Sequence, residues 1–107
     1  MTEKTPAFGR FAEPSLLILA SLSDGPKHGY AIMQDIEAGT GRPMGAGTLY
    51  AALARLEEAG LVEPLPAVDR RRPYRLTAVG ASTLAEQLRG LSAFAAQGLR
   101  RLGEDVP

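Results

Sequence analysis

Gly45-Ala46-Gly47-Thr48-Leu49-Tyr50-Ala51-Ala52-Leu53-Ala54-Arg55-Leu56-Glu57-Glu58-Ala59-Gly60-Leu61-Val62 decides how the rest of the chain is read. Leu49, Leu53 and Leu56, with Ala52 and Ala59 beside them, recur at three- and four-residue steps, the period of a helix with one buried stripe. A pair of glycines precedes the stripe. Gly60 follows its last turn, where glycine adopts a left-handed conformation at least cost, and Leu61-Val62 opens a β-prone run. The opposite face carries Thr48, Tyr50, Ala51, Ala54, Arg55 and Glu58. Small side chains there permit close approach and the polar ones bond to what approaches, a nucleic-acid groove or solvent.

Upstream, Pro14 suits the first turn of a helix that continues through Leu16, Leu17, Leu19, Ala20 and Leu22 until Ser23-Asp24-Gly25-Pro26 stops it. This helix is apolar nearly all round and is expected to be central. His28 to Gly39 reads as a second, amphipathic helix with Ile32 and Ile36 one turn apart and Gly39 as its stop. After the linker Thr40 to Met44, the quoted stretch is the third helix, which is the order of a helix-turn-helix. Residues 1–13 read as an N-terminal arm whose Phe8 and Phe11 dock either on the chain's own core or on a second subunit.

Downstream, Leu61 to Leu65 and Pro73 to Thr77 read as two short strands joined by a turn over Pro66 to Arg72, with Asp69 near its tip. Pro64 cannot donate to a ladder and so belongs at an edge. A small β-hairpin closing over helices makes a winged helix, and Arg70, Arg71, Arg72 and Arg75 give it four cations with no acid between them. Thr77 caps a final helix in which Leu84, Leu88, Leu91, Ala95, Gly98 and Leu102 follow a heptad seam, widened by Phe94 and Leu99. Gly90 and Gly98 each weaken that helix by about 1 kcal/mol relative to alanine, but they permit close helix-on-helix contact. Gly103 to Pro107 are expected to fray. The reading is therefore mainly α with a small hairpin: a winged helix-turn-helix over residues 14–77, then a C-terminal dimerisation helix over 78–107.

With 107 residues the chain is expected to form one domain. Lysine plus arginine and aspartate plus glutamate both total 12, so a case for nucleic acid rests on local clustering and not on global charge. Cysteine is absent, which excludes disulfides and thiol catalysis and accords with a reducing cytoplasm. The run from Leu16 to Leu22 is too short to span a bilayer, so no membrane partner is expected.

Nothing looks catalytic. His28 stands alone beside a glycine at a helix start, a capping position rather than a metal site, and no cofactor is expected. Glu57 and Glu58 are adjacent and point apart on a helix. Gly45-Ala46-Gly47-Thr48 lacks the lysine and the preceding strand of a phosphate-binding loop.

If the third helix enters a major groove, the wing lays Arg70 to Arg72 over flanking phosphates or into the neighbouring minor groove. Base readout then falls to Thr48, Tyr50 and Arg55, and Gly45 and Gly47 let a phosphate approach the free amides of the helix start. Tyr50 reads equally as a half-buried packing residue. The alternative function is a winged-helix protein-interaction module without DNA, motivated by the zero net charge and the apolar residues of the arm.

Leu16 to Leu22 through Pro26-Lys27-His28-Gly29-Tyr30-Ala31-Ile32, then Gly47-Thr48-Leu49-Tyr50 through Gly60-Leu61, then Arg72-Pro73-Tyr74-Arg75-Leu76-Thr77 through Gly80, resemble the PadR-type transcriptional regulators of bacteria. The resemblance covers roughly residues 14 to 90 and is closest to the short subclass with a single C-terminal helix. It implies a two-fold homodimer that binds double-stranded DNA at an inverted repeat and usually represses. It also places Tyr30, Thr48 and Tyr50 at the DNA backbone or bases and the wing arginines at phosphates. Some family members bind planar aromatic or drug-like ligands in a pore between subunits. The chain departs from the pattern at Gly45, where serine is frequent, and at Ala51, where proline is frequent. With six aromatic residues and no tryptophan, a stacking ligand has only Phe8, Phe11 and Phe94 as candidates.

Overall fold

Proline at the first helical position, where its missing N–H costs nothing, starts helix α1, Pro14–Ser21. The computed structural model describes residues 13–104. A 3-10 turn, Leu22–Asp24, ends at Gly25, whose φ of 144° suits glycine alone. Strand β1 is Lys27–His28, followed by α2, Gly29–Thr40, and α3, Ala46–Glu58. The chain continues through β2, Val62–Pro64, and β3, Pro73–Leu76, into the long helix α4, Ala78–Arg101.

The expected stripe is the core. Ile18, Leu19 and Leu22, Ile32 and Ile36, Leu49, Ala52, Leu53 and Leu56 are buried together with Val62 and Leu84. Each of the larger side chains contributes about 1.5–3 kcal/mol by leaving water. The first helix is central as expected, packing against α2, α3 and α4. Ala59, by contrast, is exposed, because α3 has ended. Gly60 N–H donates to the Glu57 carbonyl (3.0 Å) and Leu61 N–H to the Leu56 carbonyl (2.9 Å), the paired bonds of a Schellman stop with Gly60 left-handed at φ 79°.

Two boundaries of α2 differ from the sequence reading. His28 lies outside the helix as its cap, and the stop is Gly41 (φ 76°), not Gly39, which lies within the last turn. The hairpin is also one strand short of the observed sheet, which is antiparallel with order β1-β3-β2. Lys27 pairs with Tyr74 and His28 with Pro73 on one side of β3; Glu63 pairs with Arg75 on the other. A two-residue strand has no periodicity to read, which is why β1 escaped notice. Pro64 does lie on an edge strand.

At the wing tip, Val68 and Arg71 exchange both backbone bonds (2.7 and 2.9 Å) around Asp69 and Arg70, which are both left-handed at φ 51° and 68°. This is the primed turn that matches strand twist, built here without glycine.

Thr77 fastens α4 to the sheet. Its Oγ1 donates to the Gly60 carbonyl (2.6 Å) and accepts from Gly80 N–H (3.0 Å), and its own N–H donates to the Leu61 carbonyl (3.1 Å). Gly80 is buried so tightly that a Cβ there would lie 1.9 Å from the Leu61 oxygen. Four residues on, Leu84 fills the protomer's own core at 4% exposure, so it is no subunit contact, contrary to expectation. The rest of the seam leaves the protomer: Leu88, Phe94, Leu99 and Leu102 are exposed with Ala95, and Leu91 is half-buried. Helix α4 also ends in a Schellman stop, Gly103 N–H to Arg100 and Glu104 N–H to Leu99, so Gly103 and Glu104 are fixed where fraying was expected. Phe8, Phe11 and the arm before Glu13 lie outside the described residues, as do residues 105–107. Among the described residues no helix is long and apolar enough to cross a membrane.

Candidate nucleic-acid interface

The exposed face of helix α3 is uncharged over its first two turns and carries Arg55 and Glu58 at its end. Gly47, Ala51 and Ala54 run along its exposed middle, flanked by Thr48 on one edge and Tyr50 on the other. At 3.6 residues per turn those two side chains leave the helix about 160° apart. Arg55 is exposed in the last turn. Thr48 borders a cleft of about 210 Å³ with Arg42, Met44 and Gly45, away from the tyrosines.

Tyr50 faces a second cleft, of about 330 Å³, between the start of α2, α3 and the wing. His28, Gly29 and Tyr30 line one wall, and Arg70, Arg71, Arg72 and Tyr74 the other. Tyr30 is 58% exposed and Tyr50 48%. Tyr50 is half-buried, as the packing reading has it: its ring lies against Gly29 while half its surface stays open. Tyr74 is a further member of the cleft beyond the expected residues, and its place in the chain beside Arg72 and Arg75 is the signal that marks it. Its phenol is held above the ordinary tyrosine value, first by burial and then by the fields of Glu57 and Tyr50, with Arg72 opposing. It therefore remains a hydrogen-bond donor at neutral pH.

The arginines differ in freedom. Arg72 donates from Nη1 to the Leu65 carbonyl (3.0 Å), which pins its stem along the wing. Arg71 Nη1 lies 3.3 Å from His28 Nε2, while His28 Nδ1 accepts from Ala31 N–H at 3.3 Å as the cap of α2. A neutral imidazole has one acceptor nitrogen, so the ring serves the cap or the arginine, one at a time. Arg70 stands exposed at the turn tip. Arg75 departs from the group: its Nε donates to Glu63 Oε2 at 2.5 Å, directly across the sheet, so its charge is already paired. No acid stands between these arginines along the chain; Glu63 reaches Arg75 only through the pairing of β2 with β3. Among the described residues no cluster of three or more potential metal ligands exists.

The model of the Transcriptional regulator PadR-like family matches residues 18–86, from the first helix through the wing into α4. The chain belongs to the PadR-like family. PadR-like proteins are transcriptional regulators and not enzymes. The chain is 43% identical over 83 residues to an uncharacterized 37.1 kDa protein in transposon TN4556 of Streptomyces fradiae. That alignment takes in 78% of this chain and 24% of the other, so this PadR-like chain spans about a quarter of the length of the curated relative it matches. Among solved structures, a transcriptional regulator from Clostridium thermocellum superposes with a TM-score of 0.73 over 92% of this chain and 97% of that one, at 24% identity. RosR of H. salinarum, in the hsRosR-S1 complex structure, is 31% identical with a TM-score of 0.70, covering 88% of this chain and 86% of that one. The first of these speaks for the shared fold.

Proposed function

We propose that this PadR-like regulator binds an inverted-repeat operator as a homodimer and represses transcription, with residues 14–77 as the DNA-binding unit and 78–107 as the dimerisation unit. The observation that carries the reading is the meeting of Tyr30 and Tyr50 with Arg70, Arg71 and Arg72 around one cleft beside the exposed face of α3. Phenols and guanidiniums are donors to phosphate, and the glycine and alanines between them let a groove wall approach closely. In this arrangement α3 fits the major groove, with Gly47, Thr48, Tyr50 and Arg55 nearest the DNA, and the wing neutralises flanking phosphates. The exposed seam from Leu88 to Leu102 supplies the second subunit's contact. A planar aromatic ligand would release DNA from between the subunits, where Phe94 is 74% exposed. The protein works in the cytoplasm, with the DNA it regulates.

Fluorescence anisotropy with a duplex enriched from a random pool by the wild-type protein tests this. Affinity is expected to fall steeply with salt. Changing Arg70, Arg71 and Arg72 together to alanine is expected to shallow the logarithmic slope by about 0.9 for each phosphate that is then left un-neutralised. A slope near zero, or one indifferent to the triple change, sinks the proposal.

A further inference from the structure

The first residue of α2 is glycine although nothing in its backbone asks for one. Gly29 lies in an ordinary right-handed helical turn, where alanine is favoured by as much as about 1 kcal/mol in a helix interior. What it requires is space. A Cβ at Gly29 would lie 2.1 Å from the Tyr50 hydroxyl oxygen, 2.7 Å from its Cζ and 3.2 Å from Leu49 Cδ2. The Leu49 contact asks for a shift of only a few tenths of an ångström, whereas the Tyr50 phenol has to move outright, and its half-exposed ring can swing outward.

Resting on the DNA-binding reading above, we infer that Gly29 is a positioning residue for Tyr50: its missing side chain is the seat that aims the phenol into the cleft opposite Arg71, Arg72 and Tyr74, toward a DNA phosphate. The seat joins the histidine-glycine-tyrosine segment to the glycine-threonine-leucine-tyrosine segment across the helix-turn-helix. Tyr30, one residue on, borders the same cleft from the other side of the seat. A phosphate there meets donors whose directions are set before binding, so little side-chain freedom is lost when it arrives. Alanine at position 29 leaves every donor present and misplaces one of them.

Two measurements on the full chain separate the seat from the DNA reading. With 3-fluorotyrosine incorporated, the three tyrosines give three fluorine resonances in the free protein, assigned by single Tyr→Phe changes. Gly29→Ala is expected to shift the Tyr50 resonance; an unmoved resonance overturns the seat without any DNA present. Anisotropy on the enriched duplex then closes a cycle of Gly29→Ala, Tyr50→Ala and the double variant. Gly29→Ala and Tyr50→Ala are each expected to weaken binding roughly tenfold, the worth of one hydrogen bond to a charged group. The double variant is expected to be no weaker than Tyr50→Ala, because removing the ring removes the two severe contacts and leaves only the mild one with Leu49. Losses that multiply show that Gly29 acts without Tyr50 and overturn the inference. If the wild-type protein enriches no duplex, the DNA reading fails and the proposed role with it, while the fluorine shift still decides whether the seat exists. Thermal melts of the double variant, in which only the mild contact with Leu49 is left, separate misplacement from misfolding.

Discussion

Asp69 and Arg70 turn the wing through two left-handed residues, a conformation that costs a residue with a Cβ about 1–2 kcal/mol and that short polar aspartate bears better than arginine. A hairpin of this type ordinarily carries glycine at its second position. Arg70 there exchanges turn stability for a cation at the outermost point of the wing. Arg70→Gly is therefore expected to raise the melting temperature by a few degrees while weakening duplex binding and shallowing its salt dependence. Calorimetry and anisotropy on the same variant check the two opposed effects; a fall in both would place the strain elsewhere. At this scale the sequence was legible where chemistry is local. Gly60 after a leucine stripe and Thr77 before a heptad read correctly because a helix stop and a helix cap depend on near neighbours. Arg75 and Gly29 did not, since Glu63 and Tyr50 reach them only across a strand pair and a helix crossing.

The four helices were readable from periodicity, and their order carried the fold. The strands were readable in proportion to their length, so β2 and β3 were found and the two residues of β1 were not. The heptad of α4 was found whole, but a repeat does not say which of its members faces the chain's own core. Leu84 and Leu88, one turn apart on one stripe, have different surroundings: 4% and 43% exposed. Their substitutions should behave differently. Leu84→Ala is expected to destabilise the protomer by about 2–5 kcal/mol, seen as an early thermal transition, with association of the folded fraction unchanged. Leu88→Asp with Leu91→Asp is expected to leave the fold intact by circular dichroism and to give monomers by sedimentation, with duplex binding abolished. A double variant that remains dimeric would move the interface off this seam.

Over the whole molecule the charges cancel, 12 against 12, and what the sequence offered in place of a basic balance was placement. The cations at the wing tip face the open cleft beside α3, while Arg75 is neutralised behind them. In the proposed dimer, α4 carries the relation between two such surfaces. One alanine inserted after Glu86, past the last core residue and before the seam, rotates everything beyond it by about 100° and advances it about 1.5 Å. The expected product folds and dimerises by sedimentation yet binds the enriched duplex at least tenfold more weakly, a loss of about 1.4 kcal/mol or more. Unchanged affinity would show that the two winged units are flexibly joined. Gly80 argues that they are not. Pressed against the Leu61 carbonyl, it leaves the root of α4 no slack, so the helix is a stiff lever about 36 Å long whose pivot sits in the protomer's core. A tilt of about 10° at that pivot carries the far end some 6 Å, about one helical turn. In the proposed dimer, two such levers crossing at their seams would form a pair of callipers, in which a slight change of crossing angle would open or close the jaws by more than the width of a phosphate.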